Sequence, residues 1–231
     1  MQSLTLTAVI LTITLNSISL AEWPNWRGPN MDGSSSAKNI PTKFSSKENI
    51  RWSQPMSGKA ASTPIISNGK VFITTTNEEK KELLAVAYDL KSGKELWKHV
   101  VGKGLNQDNR SNYAGASPVT DGKHVVFFFG TGDMAVISHE GKIQWEKNIQ
   151  EEYGKFYFLW TFSTSPIIFD GKIILQVLQR DTPVHPSQQG EGKKNSFLLA
   201  LSLDKGKEIY KTNRPDEAKA ESKEAFSTPV I

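Results

Sequence analysis

Short apolar runs alternate with polar turns along most of the chain, and one order of run and turn returns three times. Each copy opens on a small residue, a hydroxyl residue, proline and an aliphatic: Ser62-Thr63-Pro64-Ile65-Ile66, Ala116-Ser117-Pro118-Val119, Thr164-Ser165-Pro166-Ile167-Ile168. Ser227-Thr228-Pro229-Val230-Ile231 opens it a fourth time. A turn follows: Asn68-Gly69-Lys70, Asp121-Gly122-Lys123 or Asp170-Gly171-Lys172. Asn-Gly and Asp-Gly suit type I′ hairpins, where both central residues take positive φ. Next come one apolar run (71–74, 125–129, 173–178) and another (83–89, 134–138, 197–203). A second tight turn then carries Gly93-Lys94, Gly141-Lys142 or Gly206-Lys207, and an aromatic stands four residues after each glycine: Trp97, Trp145, Tyr210.

Each copy therefore predicts four short strands, A to D, joined by hairpins too tight for the crossover that parallel pairing needs. Proline fits the start of strand A, where its missing N–H costs no ladder bond. A repeated four-stranded antiparallel unit of roughly 50 residues is a propeller blade. The expected fold is all-β, a β-propeller of four-stranded antiparallel blades, present as an incomplete arc of three. The blades are expected at 61–101, 114–149 and 162–212, with a fourth beginning at 226. A sandwich of unrelated hairpins is the alternative architecture, and it gives no reason for three copies of one turn chemistry. Within an N-terminal segment at 22–60, Glu48-Asn49-Ile50-Arg51-Trp52 reads as an orphan outer strand. Propellers close with at least four blades. The sequence thus reads as part of a longer product, an arc with exposed sheet edges.

Strand alternation puts the A–B and C–D turns on one face and the B–C and D–A connections on the other. The first face holds only tight turns. The second holds the long connections 76–82, 102–114, 148–162, 179–196 and 211–225, and a rigid scaffold places binding residues on such loops. Two loops stand out. Tyr153-Gly154-Lys155-Phe156-Tyr157-Phe158-Leu159-Trp160 is dense in aromatics; it reads either as a docking patch centred on Tyr157 and Trp160 or as a plug folded into the channel. The second carries Arg180, Asp181 and His185, which read either as a ligand-facing set or as an ordinary loop with an internal ion pair.

Composition narrows the chemistry. The chain has no cysteine, which removes disulfides, thiolate metal sites, cysteine nucleophiles and a lipid-anchored cysteine. Net charge is +4 with the lysines scattered over turns, so no basic face for nucleic acid is indicated. No pair among His99, His124, His139 and His185 has zinc-ligand spacing. No nucleophile elbow, phosphate loop or nucleotide fingerprint is present. Residues 1–21 read as a secretory signal, an uncharged apolar run at 4–15 closing on Ser19-Leu20-Ala21. Cleavage after Ala21 is expected, with an uncleaved anchor as the alternative, and no later segment could span a membrane. The expected location is periplasmic or secreted.

The segment Ala87-Tyr88-Asp89-Leu90-Lys91-Ser92-Gly93-Lys94-Glu95-Leu96-Trp97 resembles the tryptophan-docking repeat of pyrroloquinoline-quinone (PQQ) dehydrogenases and PQQ-like repeat propellers. Asp89, Gly93, Lys94 and Trp97 carry the pattern; Gly141 with Trp145 and Gly206 with Tyr210 repeat it, with Ser138 and Ser202 replacing the aspartate. The opening Trp23-Pro24-Asn25-Trp26-Arg27-Gly28-Pro29 is similar to the start of exported PQQ-like proteins related to BamB, the outer-membrane assembly scaffold. The resemblance implies a non-catalytic exported scaffold that meets a protein or peptide, with these repeat residues structural. No catalytic residue, metal or cofactor is expected under it. The alternative is a fragment of a PQQ-dependent alcohol or sugar dehydrogenase, with PQQ and calcium as cofactors. Such enzymes resembling this repeat use a vicinal cysteine pair, which this chain cannot form. The loop-face aromatics also suggest a weaker third reading, a carbohydrate-binding propeller.

Overall fold

The computed structural model describes residues 22–105, 111–189 and 192–231; the expected signal at 1–21 lies outside them. Three four-stranded antiparallel sheets make up the fold. The first runs β1 (Ile65–Ser67), β2 (Lys70–Asn77), β3 (Glu82–Asp89), β4 (Glu95–Lys103). The second runs β5 (Val119–Thr120), β6 (His124–Phe128), β7 (Asp133–Ser138), β8 (Ile143–Asn148). A five-residue helix α1 (Ile149–Tyr153) follows, and the third sheet is β9 (Ile167–Phe169), β10 (Lys172–Val177), β11 (Ser196–Ser202), β12 (Glu208–Arg214). This is the all-β blade architecture of an incomplete propeller.

The sheets stack face to face, so their middle strands are buried on both sides. Along β3, Leu83, Ala85 and Ala87 enter the core shared with Val125, Phe127 and Ile137 of the second sheet. The alternate residues Leu84, Val86 and Tyr88 pack on the other face with Val71 and Ile73. A second core joins Phe128, Met134 and Val136 to Ile173, Leu175 and Leu199 of the third sheet. Burying each such side chain contributes about 1.5–3 kcal/mol. The outer strands β4, β8 and β12 face solvent.

The turns follow the repeat with one departure. Asn68-Gly69 and Asp170-Gly171 have positive φ at both positions, as type I′ turns require. At Asp121-Gly122 only the glycine does; the Asp121 carboxylate instead accepts the Lys123 and His124 N–H groups, closing a side-chain turn. In the C–D turns, Asp89 accepts from the Ser92 N–H and hydroxyl, which holds its carboxyl below the usual range. The Ser138 hydroxyl accepts from the Lys142 N–H, and that of Ser202 from Lys207. Serine thus performs the aspartate's turn-closing role.

Each outer strand carries a β-bulge just before its aromatic. Trp97 pairs with Ala87, Trp145 with Val136 and Tyr210 with Ala200, and the register shifts at the next pair in every sheet. A bulge bends its strand and re-aims a side chain. The Trp97 indole N–H donates to the His139 carbonyl of the next blade at 3.1 Å, and Trp145 to Leu203 at 2.9 Å. Their rings lie against Gly141 and Gly206. A Cβ on Gly141 would meet the Trp97 ring at 2.7 Å, and its φ of 88° also disfavours a side chain. Tyr210, on the outermost strand, is 38% exposed.

Residues 48–52 depart from the orphan-strand expectation. They pair with no sheet, and Glu48 makes only an isolated bridge to Ser45. With no ladder partner to hold it extended, this stretch keeps only the docking residue of a blade's outer strand. The Trp52 indole donates to the Leu90 carbonyl at 2.9 Å and lies on Gly93, the relation Trp97 has to His139 and Gly141. The start of the fourth repeat likewise forms no strand; Gln176 of β10 holds Ser227 through the serine carbonyl and hydroxyl.

Candidate functional site

The two faces differ as the strand order requires, although the long connections are shorter than the sequence suggests. The 76–82 connection closes as a turn at 78–81, because β2 and β3 pair as far as Asn77 with Glu82. α1 takes part of 148–162, capped by the Asn148 side chain on the Gln150 and Glu151 N–H groups. Single 3-10 turns occupy Pro186–Gln188 and Ala220–Lys223.

The aromatic loop divides in two. Phe156 and Phe158 join the core between the second and third sheets; Phe158 stacks on Phe162 with centroids 4.4 Å apart. Tyr157 is fully buried, its hydroxyl donating toward the Gly192 carbonyl at 2.9 Å. Leu159 is exposed and Trp160 half-buried. The Trp160 indole N–H donates to Glu221 at 3.1 Å.

Arg180 and Asp181 face the segment carrying that glutamate. The Arg180 guanidinium pairs with Glu224, whose side chain is 1% exposed and whose carboxylate also accepts the Leu159 N–H. Lys223 bridges Asp181 at 3.8 Å and Asp216 at 3.2 Å. Ala225 donates to the Leu178 carbonyl, and the Phe226 ring packs on Phe158. Residues 216–227 thus form a strap over the aromatic loop, fastened by two ion pairs, Arg180 with Glu224 and Asp181 with Lys223, and by the hydrogen bond from Trp160 to Glu221. His185 stands apart at the start of the Pro186–Gln188 turn, exposed.

A cavity of about 230 Å³ opens beside the strap, with Tyr113, Gln150, Lys155, Trp160, His185 and Gln188 in its wall. It brings Trp160 and His185 together; Arg180 and Asp181 lie outside it. Its amides are committed to the fold. Gln150 donates to the Thr131 carbonyl and accepts the Phe156 N–H. Gln188 donates to the Phe156 carbonyl and accepts the Val184 and His185 N–H groups.

A second cavity, about 450 Å³, lies where the inner strands begin. The repeat puts Thr63, Ser117, Ser165 and Thr228 around it. The Thr63 N–H donates to the Ser117 hydroxyl and the Ser117 N–H to the Ser165 hydroxyl, each at 2.9 Å. In a propeller the starts of the innermost strands border the central channel, so this cavity sits at the channel-mouth position of the arc. Residues from the N-terminal segment close one side of it. Trp23 exchanges two backbone hydrogen bonds with Ile66 on the free edge of β1, and the Pro24 carbonyl accepts the Thr120 N–H of β5. The buried Asn25 side chain closes the turn that presents Trp26 and Arg27 to the cavity. Sequence reasoning saw the hydroxyl-proline step only as a strand start, and the Trp-Pro-Asn-Trp-Arg opening only as a resemblance.

The family described as outer membrane protein assembly factor BamB, a PQQ-like repeat family, matches residues 44–182. The chain belongs to this family. None of the curated proteins matches this chain by sequence. Among solved structures, the chain is similar to a europium-containing methanol dehydrogenase at 12% identity and TM-score 0.46, over 65% of this chain and 24% of that one. It is similar to the quinohemoprotein alcohol dehydrogenase of Comamonas testosteroni at 15% and 0.45, over 68% and 21%. BamB from Moraxella catarrhalis aligns at 13% and 0.40, over 70% of this chain and 51% of that one. The chain spans between about a fifth and a half of the length of these proteins.

A calcium ion wants several carboxylate or carbonyl oxygens. The channel mouth offers hydroxyls and one guanidinium, with no carboxylate in its wall. Among the described residues no group of three or more His, Asp or Glu could hold a metal. These residues do not fit the calcium of a quinoprotein dehydrogenase. No helix among the described residues is long and apolar enough to cross a membrane.

Proposed function

We propose that the chain is an exported, non-catalytic scaffold that receives a protein or extended peptide on its long-loop face. The observation that carries this reading is the strap. Trp160, Arg180 and Asp181 are each engaged in holding one loop to another, which preorganises the face as a surface for a partner. Leu159 and Phe226 stand on that surface, 38% and 37% exposed, as apolar contacts for a partner. The BamB family's description points to outer-membrane protein assembly as the setting, and the apolar run at 4–15 supports delivery to the periplasm or outside.

A photo-crosslinker at Leu159, compared with one at Lys205 on the tight-turn face, tests the reading in cells. Adducts with one defined protein from the Leu159 probe alone are expected. Equal labelling from both positions would sink it, as would dye-linked alcohol oxidation on adding PQQ and Ca²⁺. N-terminal sequencing of the mature protein is expected to start at Glu22.

A further inference from the structure

The channel mouth differs from the cavity beside the strap in what its polar groups still lack. Ser117 and Ser165 are 5% and 7% exposed, and each hydroxyl already accepts a backbone N–H. A hydroxyl carries one proton to give as well as lone pairs to receive. Among the described residues neither Ser117 nor Ser165 gives that proton to a protein acceptor. The Trp26 indole N–H, in the same wall, is buried without an acceptor among the described residues. Among the described residues Arg27 is the one charged residue lining the cavity, and its guanidinium lies 4.9 Å above the Trp26 ring with no carboxylate partner among them. That stacking holds the cation in place. The uncommitted groups are therefore donors, one of them positively charged, and no anion in the wall balances them.

We propose that this channel mouth binds a carboxylate, held by the Arg27 guanidinium and the hydroxyl protons of Ser117 and Ser165. Guanidinium matches a carboxylate's two oxygens with two parallel donors, and charge-assisted bonds are the strong ones. The carboxylate belongs to a small organic acid or to the C-terminus of a peptide. Phe226 and Ser227 at the end of the strap share this wall, but the three groups that hold the carboxylate belong to other segments, so the site does not depend on the loop face receiving a protein.

The test uses the whole chain and three probes: succinate, a short Gly-Ser peptide with a free C-terminus, and the same peptide amidated. Binding is read by calorimetry and by the NMR shift of the Trp26 indole N–H, assigned through Trp26→Phe. Succinate or the free-acid peptide should bind and move that signal, while the amide should not. Succinate competing with the peptide identifies a small acid as sufficient; binding of the peptide alone identifies a chain terminus. Arg27→Gln should weaken binding about tenfold or more, and Ser165→Ala several-fold. Lys205→Gln, an equal charge change on the opposite face, should have no effect. Rising salt should weaken binding to the unmodified chain, a measurement independent of how well any variant folds. Equal affinity for acid and amide, unchanged affinity in a folded Arg27→Gln, or no binding of either acid at millimolar concentration would overturn the proposal.

Discussion

On the tight-turn face the blades are near copies of one another; on the long-loop face no two connections are alike. Trp52, Trp97 and Trp145 each donate to the carbonyl after a turn-closing Asp or Ser and lie on a glycine two or three residues further on. The other face holds α1, two 3-10 turns and a charged strap, each present once. Stacking identical units needs one solution used repeatedly, so its residues recur and show in the sequence. A surface that meets something else has no such constraint. The difference teaches where to look: repetition marks what holds the arc together, and departure marks what it can present.

Trp97→Ala gives the largest expected effect. Removing a ring packed against Phe72 and Phe127, with its bond to His139, should cost about 3–5 kcal/mol and lower the unfolding midpoint of the whole chain. Arg180→Met comes next on the opposite face. It leaves the buried Glu224 carboxylate without its cation at a cost of about 3 kcal/mol. Here the loss should be local, read as faster amide exchange across 216–227 with the cores still protected; uniform exchange would erase the distinction between the faces. A glycine pair sharpens the first half of the comparison. Gly122 has φ of 90° with nothing near its missing Cβ, whereas Gly141 meets Trp97. Gly122→Ala should cost about 1 kcal/mol and Gly141→Ala about 2 kcal/mol more in urea unfolding.

The smallest effect is a pH dependence at the joint between the first two blades. The buried His139 imidazole accepts or donates at Thr120 Oγ1, 2.9 Å away, and stands 4.9 Å from the Phe72 ring. Burial first, and Lys70 second, hold its pKa below 6.5, against the opposing pull of Glu140, Asp121 and Glu22. The unfolded chain takes up the proton more readily than the fold does. This contribution to stability is whole above pH 6.5 and is lost as pH falls through the lowered folded value. Thermal melts should show the decline in the unmodified chain and a shallower one in His139→Gln; identical slopes would remove His139 as the cause.

The blades, their order and the separation of the two faces were legible because apolar runs and turn dipeptides act over a few residues. The turn glycines that Trp97 and Trp145 lie on were not legible as their seats, and the docking itself was implied by family resemblance alone. Its geometry needed the bulges at Ala87, Val136 and Ala200, and a bulge leaves no residue signature when the strand reads as continuous. Trp52 was legible as an outer-strand tryptophan, yet the strand around it does not form, since a ladder depends on a partner that propensity cannot supply. Arg180 and Asp181 read as a mutual pair because they are neighbours in sequence. Their partners Glu224 and Lys223 lie a blade's outer strand away, a distance at which no local pattern speaks. Asp121-Gly122 has the same dipeptide chemistry as Asp170-Gly171, and only the side-chain hydrogen bonds distinguish their turns.

The N-terminal segment carries a consequence for the order of folding. Trp23 has nothing to pair with until β1 has an edge, and Pro24 nothing until β5 stands beside it. Its contacts therefore carry the loop-closure entropy of the entire first blade, and contacts of that kind form late. The earliest described residues of the chain are among the last to reach their places, arriving as a wedge between two finished blades. A pulse-labelling experiment during refolding should find the amides of Ile66 and Thr120, which this wedge protects, acquiring protection after those of β3 and β7.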